Sequence, residues 1–151
     1  MNSRIVLIFN ITLRYCFASN YGLTEMKSGK LILKELKALK EIFKSSKYWK
    51  DNYQMDLKLY TAKVDDYTGT CTKSIFECFY KEFEVLLEEI SLLEEKVAKN
   101  FSNTLQHMRS YYQYESSKMP NTCKKCEEYE EKSIEEFIKS FESIAQKMNA
   151  K

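Results

Sequence analysis

Cysteines are the residues whose chemistry and spacing stand out in this chain. The stretch CKKCEEYEEKSIEEF begins with Cys123 and Cys126 in a CxxC step, and an earlier pair, Cys71 and Cys78, lies seven positions apart. Thiols at such spacings form structural disulfides, bind zinc as thiolates or carry out thiol redox chemistry. The choice depends on the compartment, because disulfides persist in secreted proteins and are rare in reducing compartments.

The N-terminal segment indicates the compartment. After Met1–Arg4 the chain reads IVLIFNITLRYCFA, an apolar run that ends in the small residue Ala18, as in a secretory signal peptide. An N-terminal strand or buried segment is the alternative, while a membrane span would need about 20 apolar residues. We therefore predict a leader over residues 1–18, which removes Cys16, and one domain over residues 19–151 with four cysteines, a number that can pair.

The spacing of those four cysteines restricts their partners. If Cys71 and Cys78 lie on one helix, their Cα atoms are about 10 Å apart, beyond the roughly 7 Å limit for a disulfide. Cys123 and Cys126 are close enough to pair with each other or to act as two separate anchors. For zinc, CxxC is a reasonable half-site but CxxxxxxC is a poor one, and a redox CxxC belongs at a strand-to-helix turn. We predict structural disulfides, no metal and no cofactor.

Apolar residues at helical spacing predict four helices. Three glycines and one proline in 151 residues are too few for the turns of an all-β fold. The apolar stripes should form the core of a bundle. They comprise Ile32, Leu33, Leu36, Leu39, Ile42 and Phe43; Phe76, Phe79, Phe83, Leu86, Ile90, Leu93 and Val97; Phe101, Leu105, Met108 and Tyr112; and Ile134, Phe137, Ile138, Phe141, Ile144, Ala145 and Met148.

The connections between these segments indicate the bundle type. The second and third stripes are continuous, and because one helix of about forty residues is too long for this domain, we predict a break between Glu94 and Asn100. Residues 112–121 should form a loop, and residues 47–70 an extended crossover with little regular structure. Four helices with a long crossover predict an all-α, short-chain four-helix bundle and permit the up-up-down-down order.

Charge and composition exclude several functions. Loss of the leader removes Arg4 and Arg14, which leaves 22 basic and 22 acidic residues. These are separated: residues 27–50 carry eight lysines, while residues 82–95 and 127–136 carry six acids each. A nucleic-acid footprint is therefore not expected. His107 has no carboxylate or thiol at helical spacing, and no glycine-rich phosphate loop is present, so we predict that the chain is not an enzyme.

These motifs together resemble the interleukin-15 family of short-chain four-helix cytokines. The resemblance covers most of the chain after the leader and lies in ILKELKALKEIFKS, DLKLYT, CTKSIFECFYKEFEVL and the stretch from CKKC to Gln146. Other cytokines of the interleukin-2 and interleukin-21 group, or an interleukin-15-like paralogue, are the nearest alternatives, and SFESIAQKMNA is also similar to interleukin-21. A helical metal-binding protein, or an intracellular adaptor with reduced cysteines, is the alternative from another class.

The resemblance implies the pairings Cys71 to Cys123 and Cys78 to Cys126. It also implies that the interleukin-15 receptor α chain binds an acidic face built from the crossover, the second helix and the start of the last helix. We expect Glu127 and Glu131 to lie one helical turn apart. We call the whole set of predicted α-chain contacts the acidic face. Its members are Asp56, Tyr60, Glu82, Val85, Glu89, Glu127 and Glu131.

The resemblance further implies two signalling contacts. The interleukin-2/15 receptor β chain would meet Glu35 on the first helix and Asn103 on the third, and the common γ chain would meet Gln146 on the last. Such a protein is a secreted monomer, also presented at the cell surface by the α chain, and it activates Janus kinase and STAT signalling in lymphocytes without entering a membrane. Asn100 begins the sequon Asn-Phe-Ser and is a predicted glycosylation site.

Overall fold

The computed structural model describes residues 29–45, 56–114 and 122–150, with side chains of the middle range described as far as residue 109. The predicted leader, residues 1–18, lies outside these ranges and stays a prediction. Four helices, two short strands and three 3-10 turns make up the described chain. They are α1 (29–45), β1 (Lys58–Thr61), α2 (Thr72–Leu93), α3 (Glu95–Tyr114), β2 (Glu130–Ser133) and α4 (Ile134–Asn149), with turns at Val64–Asp66, Gly69–Cys71 and Cys126–Glu128.

The predicted break between the second and third helices is confirmed and falls at Glu94. This residue has φ −150° and ψ 86°, outside the helical region, although its N–H still donates to the Ile90 carbonyl at 2.7 Å.

The direction of α3 relative to α2 follows from a pair of side chains. Burial raises the pKa of Tyr80 on α2, and the positive charge of Arg109 on α3 lies close enough to oppose that rise. Because Tyr80 and Arg109 lie at similar distances before and after the break, α2 and α3 run antiparallel. The third helix ends at Tyr114, so residues 112–114 of the predicted loop are helical, and the rest of that predicted loop lies outside the described residues.

An aromatic cluster between α2 and α4 forms the centre of the core. Phe141 is fully buried, and its ring centroid lies 4.8 Å from that of Phe79 and 6.1 Å from that of Phe137. Phe83 and Phe76 lie at 6.2 and 6.4 Å from the same ring. The apolar stripe of the second helix is therefore core, as the sequence predicts, and α4 packs directly against it.

Helix α1 packs antiparallel to α4. At the start of α1, a β-carbon added to Gly29 would lie 2.5 Å from Asn149 Oδ1 at the end of α4. Further along, Lys40 Nζ donates to Glu142 Oε2 at 2.8 Å, and Glu142 is only 8% exposed. Helix α2 also runs antiparallel to α4, because Phe76 lies beside Phe141 while Glu82, later on α2, lies beside Glu131, just before α4 begins. Helices α1 and α2 are therefore parallel, which gives the up-up-down-down order. The predicted all-α four-helix fold with two disulfides is thus confirmed.

The crossover contains more regular structure than we predicted. Strand β1 pairs antiparallel with β2, in the register Lys58 opposite Ser133. Strand β2 occupies a segment that the sequence assigned to the start of the last helix. That helix begins later because Ser133 forms its N-cap: the Glu136 N–H donates to Ser133 Oγ at 3.4 Å and the Glu136 carboxylate accepts from the Ser133 backbone.

Side chains of α4 hold the crossover in place. Ser140 Oγ donates to the Ala62 carbonyl at 2.7 Å, and Lys147 Nζ donates to the Val64 carbonyl at 3.0 Å. The crossover then turns at Gly69, whose φ of 58° is a conformation that favours glycine. The segment after β1 is therefore held by α4, while the Tyr60 N–H of β1 itself donates to Glu82 on α2.

Candidate functional site

Two disulfides attach the segment before β2 to the start of α2. Cys71 pairs with Cys123 at a Cα–Cα distance of 5.4 Å, and Cys78 pairs with Cys126 at 5.0 Å. This is the pairing that the resemblance implied, and all four predicted cysteines are used. Within the ranges the structure describes, no group of three or more His, Cys, Asp or Glu residues is placed to hold a metal.

The antiparallel ribbon formed by β1 and β2, together with helix α2, brings the central residues of the acidic face close to one another. Tyr60 lies opposite Glu131 in the β1–β2 ribbon, and the Tyr60 N–H donates to Glu82 Oε2 at 2.9 Å. The disulfide sulfur of Cys126, next to Glu127, lies 3.9 Å from Glu82 Oε1. Tyr60, Glu82 and Glu131, from three separate parts of the chain, therefore meet around one carboxylate. Glu127 follows the cysteine that lies beside this carboxylate.

The other three members of the acidic face extend from this centre. Val85 and Glu89 lie about one and two turns beyond Glu82 on α2, and both are exposed. Asp56 is exposed and precedes β1 by two residues. The helical spacing that we predicted for Glu127 and Glu131 is wrong, because a 3-10 turn holds Glu127 and strand β2 holds Glu131. Both side chains are exposed in these positions.

Glu82 differs from its neighbours because it is half-buried. Burial raises the pKa of its carboxyl, the hydrogen bond from the Tyr60 N–H lowers it, and the nearby Glu131 carboxylate raises it again. The net shift is upward, so the fold disfavours the charged form of this side chain. We infer that Glu82 positions β1 against α2, while the exposed carboxylates of Glu89, Glu127 and Glu131 are the ones available to a partner.

The raised pKa gives Glu82 a signature in stability measurements. A carboxyl whose folded pKa exceeds its unfolded pKa binds more protons in the folded state, so stability rises as the pH falls through the folded pKa. Relative to Glu82→Gln, the wild type should gain free energy of unfolding from neutral pH down to the ordinary carboxyl range and no further below it. Urea titrations across this range check it, and a pH-independent difference between the two proteins would contradict it.

The predicted β-chain, γ-chain and glycosylation residues lie on three helices. Glu35 is half-buried on α1, while Asn100 and Asn103 are exposed on α3. Gln146 is exposed on α4, one turn beyond Glu142. These positions are exposed or partly exposed, and among the described residues no hydrogen bond or ion pair joins them into one site.

Sequence reasoning missed Leu92, whose side chain is 80% exposed on α2. A signal was present, because Leu92 and Val85 are apolar residues that fall outside the helix's three-four stripe. It also missed the ion pair between Lys40 and Glu142, which no local pattern indicates. Within the described ranges, no helix is long and apolar enough to cross a bilayer.

Comparison with known proteins identifies the family. The family model described as Interleukin 15 matches residues 9–149. Interleukin-15 of Bos taurus is 30% identical over 131 residues, which cover 87% of this chain and 74% of the bovine protein. Interleukin-15 of Bubalus bubalis is 30% identical over 85% of this chain and 72% of its own length, and that of Mus musculus is 33% identical over 61% and 54%. The chain therefore belongs to the interleukin-15 family, and it is a cytokine and not an enzyme.

Proposed function

We propose that this cytokine binds the interleukin-15 receptor α chain through the acidic face. The observation that carries the proposal is the meeting of Tyr60, Glu82 and Glu131 across the ribbon and α2, beside the disulfide at Cys126. Residues that are distant in the sequence are held there as one rigid surface. Such a surface can recognise a partner without paying for the ordering of loops.

The electrostatics of the acidic face favour a basic partner. None of the salt bridges among the described residues uses the carboxylates of Glu89, Glu127 or Glu131. Exposed carboxylates of this kind repel one another, and Lys or Arg groups of a partner would relieve that repulsion. Close charge pairs at interfaces couple by about 1.5 to 7 kcal/mol and also raise the association rate.

We propose that the same molecule joins the two signalling chains. Glu35 and Asn103 are the proposed contacts of the interleukin-2/15 receptor β chain, and Gln146 is that of the common γ chain. Through them the cytokine, a monomer glycosylated at Asn100, would activate Janus kinase and STAT signalling in lymphocytes. Residues 1–18 are the proposed signal peptide of a secreted protein that the α chain also presents at the cell surface. Intact mass of secreted protein checks this, since retention of residues 1–18 would contradict it.

Charge reversal of Glu89 and Glu127 together tests the α-chain proposal. Glu89→Lys with Glu127→Lys should weaken binding to immobilised soluble α chain by at least about 100-fold, because two like-charge contacts cost several kcal/mol. The matched control is Glu41→Lys, an exposed glutamate on α1, which should bind as the wild type does. Glu82 is left intact because its carboxylate holds Tyr60. Unchanged binding of the double variant at low salt would refute the proposal.

A further inference from the structure

Val85 and Leu92 form an exposed apolar strip on α2. Within the described ranges they are the only large hydrophobic side chains that are exposed, at 40% and 80%. They lie seven positions apart, which places them on the same side of the helix at a separation of about 10.5 Å along its axis. Single exposed apolar residues are ordinary, but these two share one helix face with acidic residues between them.

Packing does not require Leu92. The opposite side of α2 is held by Leu86 and Ile90, which are fully buried. Leu92 lies two residues before the break at Glu94, so it stands at the corner where α2 turns back into α3. Its position is therefore fixed by the fold, while its side chain remains available for contact.

The strip is bordered by acidic residues in an arrangement that is unfavourable for an isolated helix. Glu88 and Glu89 lie between Val85 and Leu92 and are both exposed. The last turn of α2 contains no basic residue, and Glu94 follows it directly. Carboxylates at a helix C-terminus oppose the helix dipole, and neighbouring like charges repel. A partner that brings positive charge to this end of α2 would remove both penalties.

We infer that Leu92 is a further contact of the receptor α chain, seated in an apolar recess that Lys or Arg residues border. The inference rests on the proposed function, because Val85 and Glu89 already belong to the acidic face and Leu92 lies one turn beyond Glu89. Charge complementarity selects this occupant over a second copy that meets the strip face to face, because the identical acidic residues of the two copies would repel one another. The α-chain footprint thus extends along α2 as far as the corner with α3.

Leu92→Gln tests this contact with little change in helix propensity. The variant should bind soluble α chain about tenfold more weakly, because the interface would no longer bury the apolar leucine side chain. A tenfold loss corresponds to about 1.4 kcal/mol of binding free energy. Leu92→Met should stay within about twofold of the wild type because methionine retains the apolar contact. Ser91→Ala, at the adjacent exposed position, is the matched control and should bind as the wild type does.

The dependence of binding on ionic strength distinguishes the apolar contact of Leu92 from the charged contacts of the acidic face. Charge pairs at an interface are screened as ionic strength rises, whereas apolar burial is not. The loss caused by Leu92→Gln should therefore be the same at low and high salt, while the loss caused by Glu89→Lys with Glu127→Lys should shrink. A Leu92→Gln loss that disappears at high salt would overturn the proposed recess.

The outcomes distinguish this inference from the function on which it rests. If Leu92→Gln binds normally while the charge-reversal variant does not, Leu92 is not a contact and the α-chain proposal stands. If both variants bind normally, both proposals are wrong. If the wild type self-associates in sedimentation experiments and Leu92→Gln does not, with α-chain binding unchanged, the strip serves a second copy of the chain and the inference is overturned.

Discussion

Replacing all four paired cysteines by serine is expected to lower the free energy of unfolding by about 7 kcal/mol, more than twice the loss of about 3 kcal/mol expected when either bridge is removed singly. A loss of 7 kcal/mol is comparable to the whole stability of many small domains. Urea unfolding of the two single-bridge variants, and far-UV circular dichroism of the four-serine variant, measure these changes.

The unequal costs follow from how the bridges are interleaved. Each closes a long loop, with sequence separations of 52 and 48 residues, for which the chain-entropy account gives about 4 kcal/mol. Cys71 and Cys78 are seven positions apart, however, and Cys123 and Cys126 are three apart. When one bridge is intact, the other therefore closes a ring of only about ten residues, which contributes about 3 kcal/mol.

The two single-bridge variants serve as controls for each other. Their stabilities should be nearly equal, but Cys126 Sγ lies 3.9 Å from Glu82 Oε1, at the centre of the acidic face. Loss of the Cys78–Cys126 bridge should therefore weaken α-chain binding more than loss of Cys71–Cys123. Losses of about 4 kcal/mol for each bridge, adding in the four-serine variant, would show that the bridges act independently and contradict this account.

The helices were predictable because each carries its own apolar period. The spacing of Phe76, Phe79 and Phe83 indicates which face of α2 is buried, and this information lies within the helix's own sequence. The break at Glu94 was predicted from length, since a domain of this size cannot hold so long a helix. Its position within the predicted window was not, because no Gly or Pro marks it.

The ribbon at the candidate site was not predictable in the same way. Strand β1 is four residues long and pairs with residues of β2 that lie 69 to 75 positions later, so no local pattern encodes their register. The error in spacing between Glu127 and Glu131 has the same origin. The half-burial of Glu82 follows from the ribbon as well, because Tyr60 reaches this carboxylate only when β1 lies against α2.

The acidic face could be named from the sequence only through the family resemblance. Charge patterning gives two acidic stretches, residues 82–95 and 127–136, and a solvated surface explains them equally well. The disulfides and the ribbon supply the missing relation, since they bring Glu131 beside Glu82. Leu92 was missed because it is one of two adjacent leucines and the predicted stripe passes through the other, Leu93, although the place of Leu92 outside the three-four spacing was a signal of exposure.

Phe141→Ala is expected to lower the free energy of unfolding by about 4 kcal/mol, which corresponds to a fall in Tm of about 10 °C. Phe141 is fully buried, and its ring lies against those of Phe79, Phe137 and Phe83. Deleting the ring leaves a cavity between α2 and α4 and removes several aromatic contacts, each worth about 0.5 to 1.5 kcal/mol beyond burial.

Two matched variants make the Phe141 result interpretable. Phe141→Leu should cost roughly a third as much, because leucine fills most of the cavity, and Leu92→Ala should change stability by less than about 0.5 kcal/mol because that side chain is exposed. Phe141 on α4 packs against α2, and so joins the helix that carries Gln146 to the helix that carries Glu82 and Glu89. Phe141→Ala should therefore weaken assembly with all three receptor chains more than it weakens binding of the α chain alone. The acidic face is less affected because the β1–β2 ribbon and the disulfides also hold it in place. A loss below about 1.5 kcal/mol for Phe141→Ala would mean that the aromatic cluster does not hold α2 and α4 together.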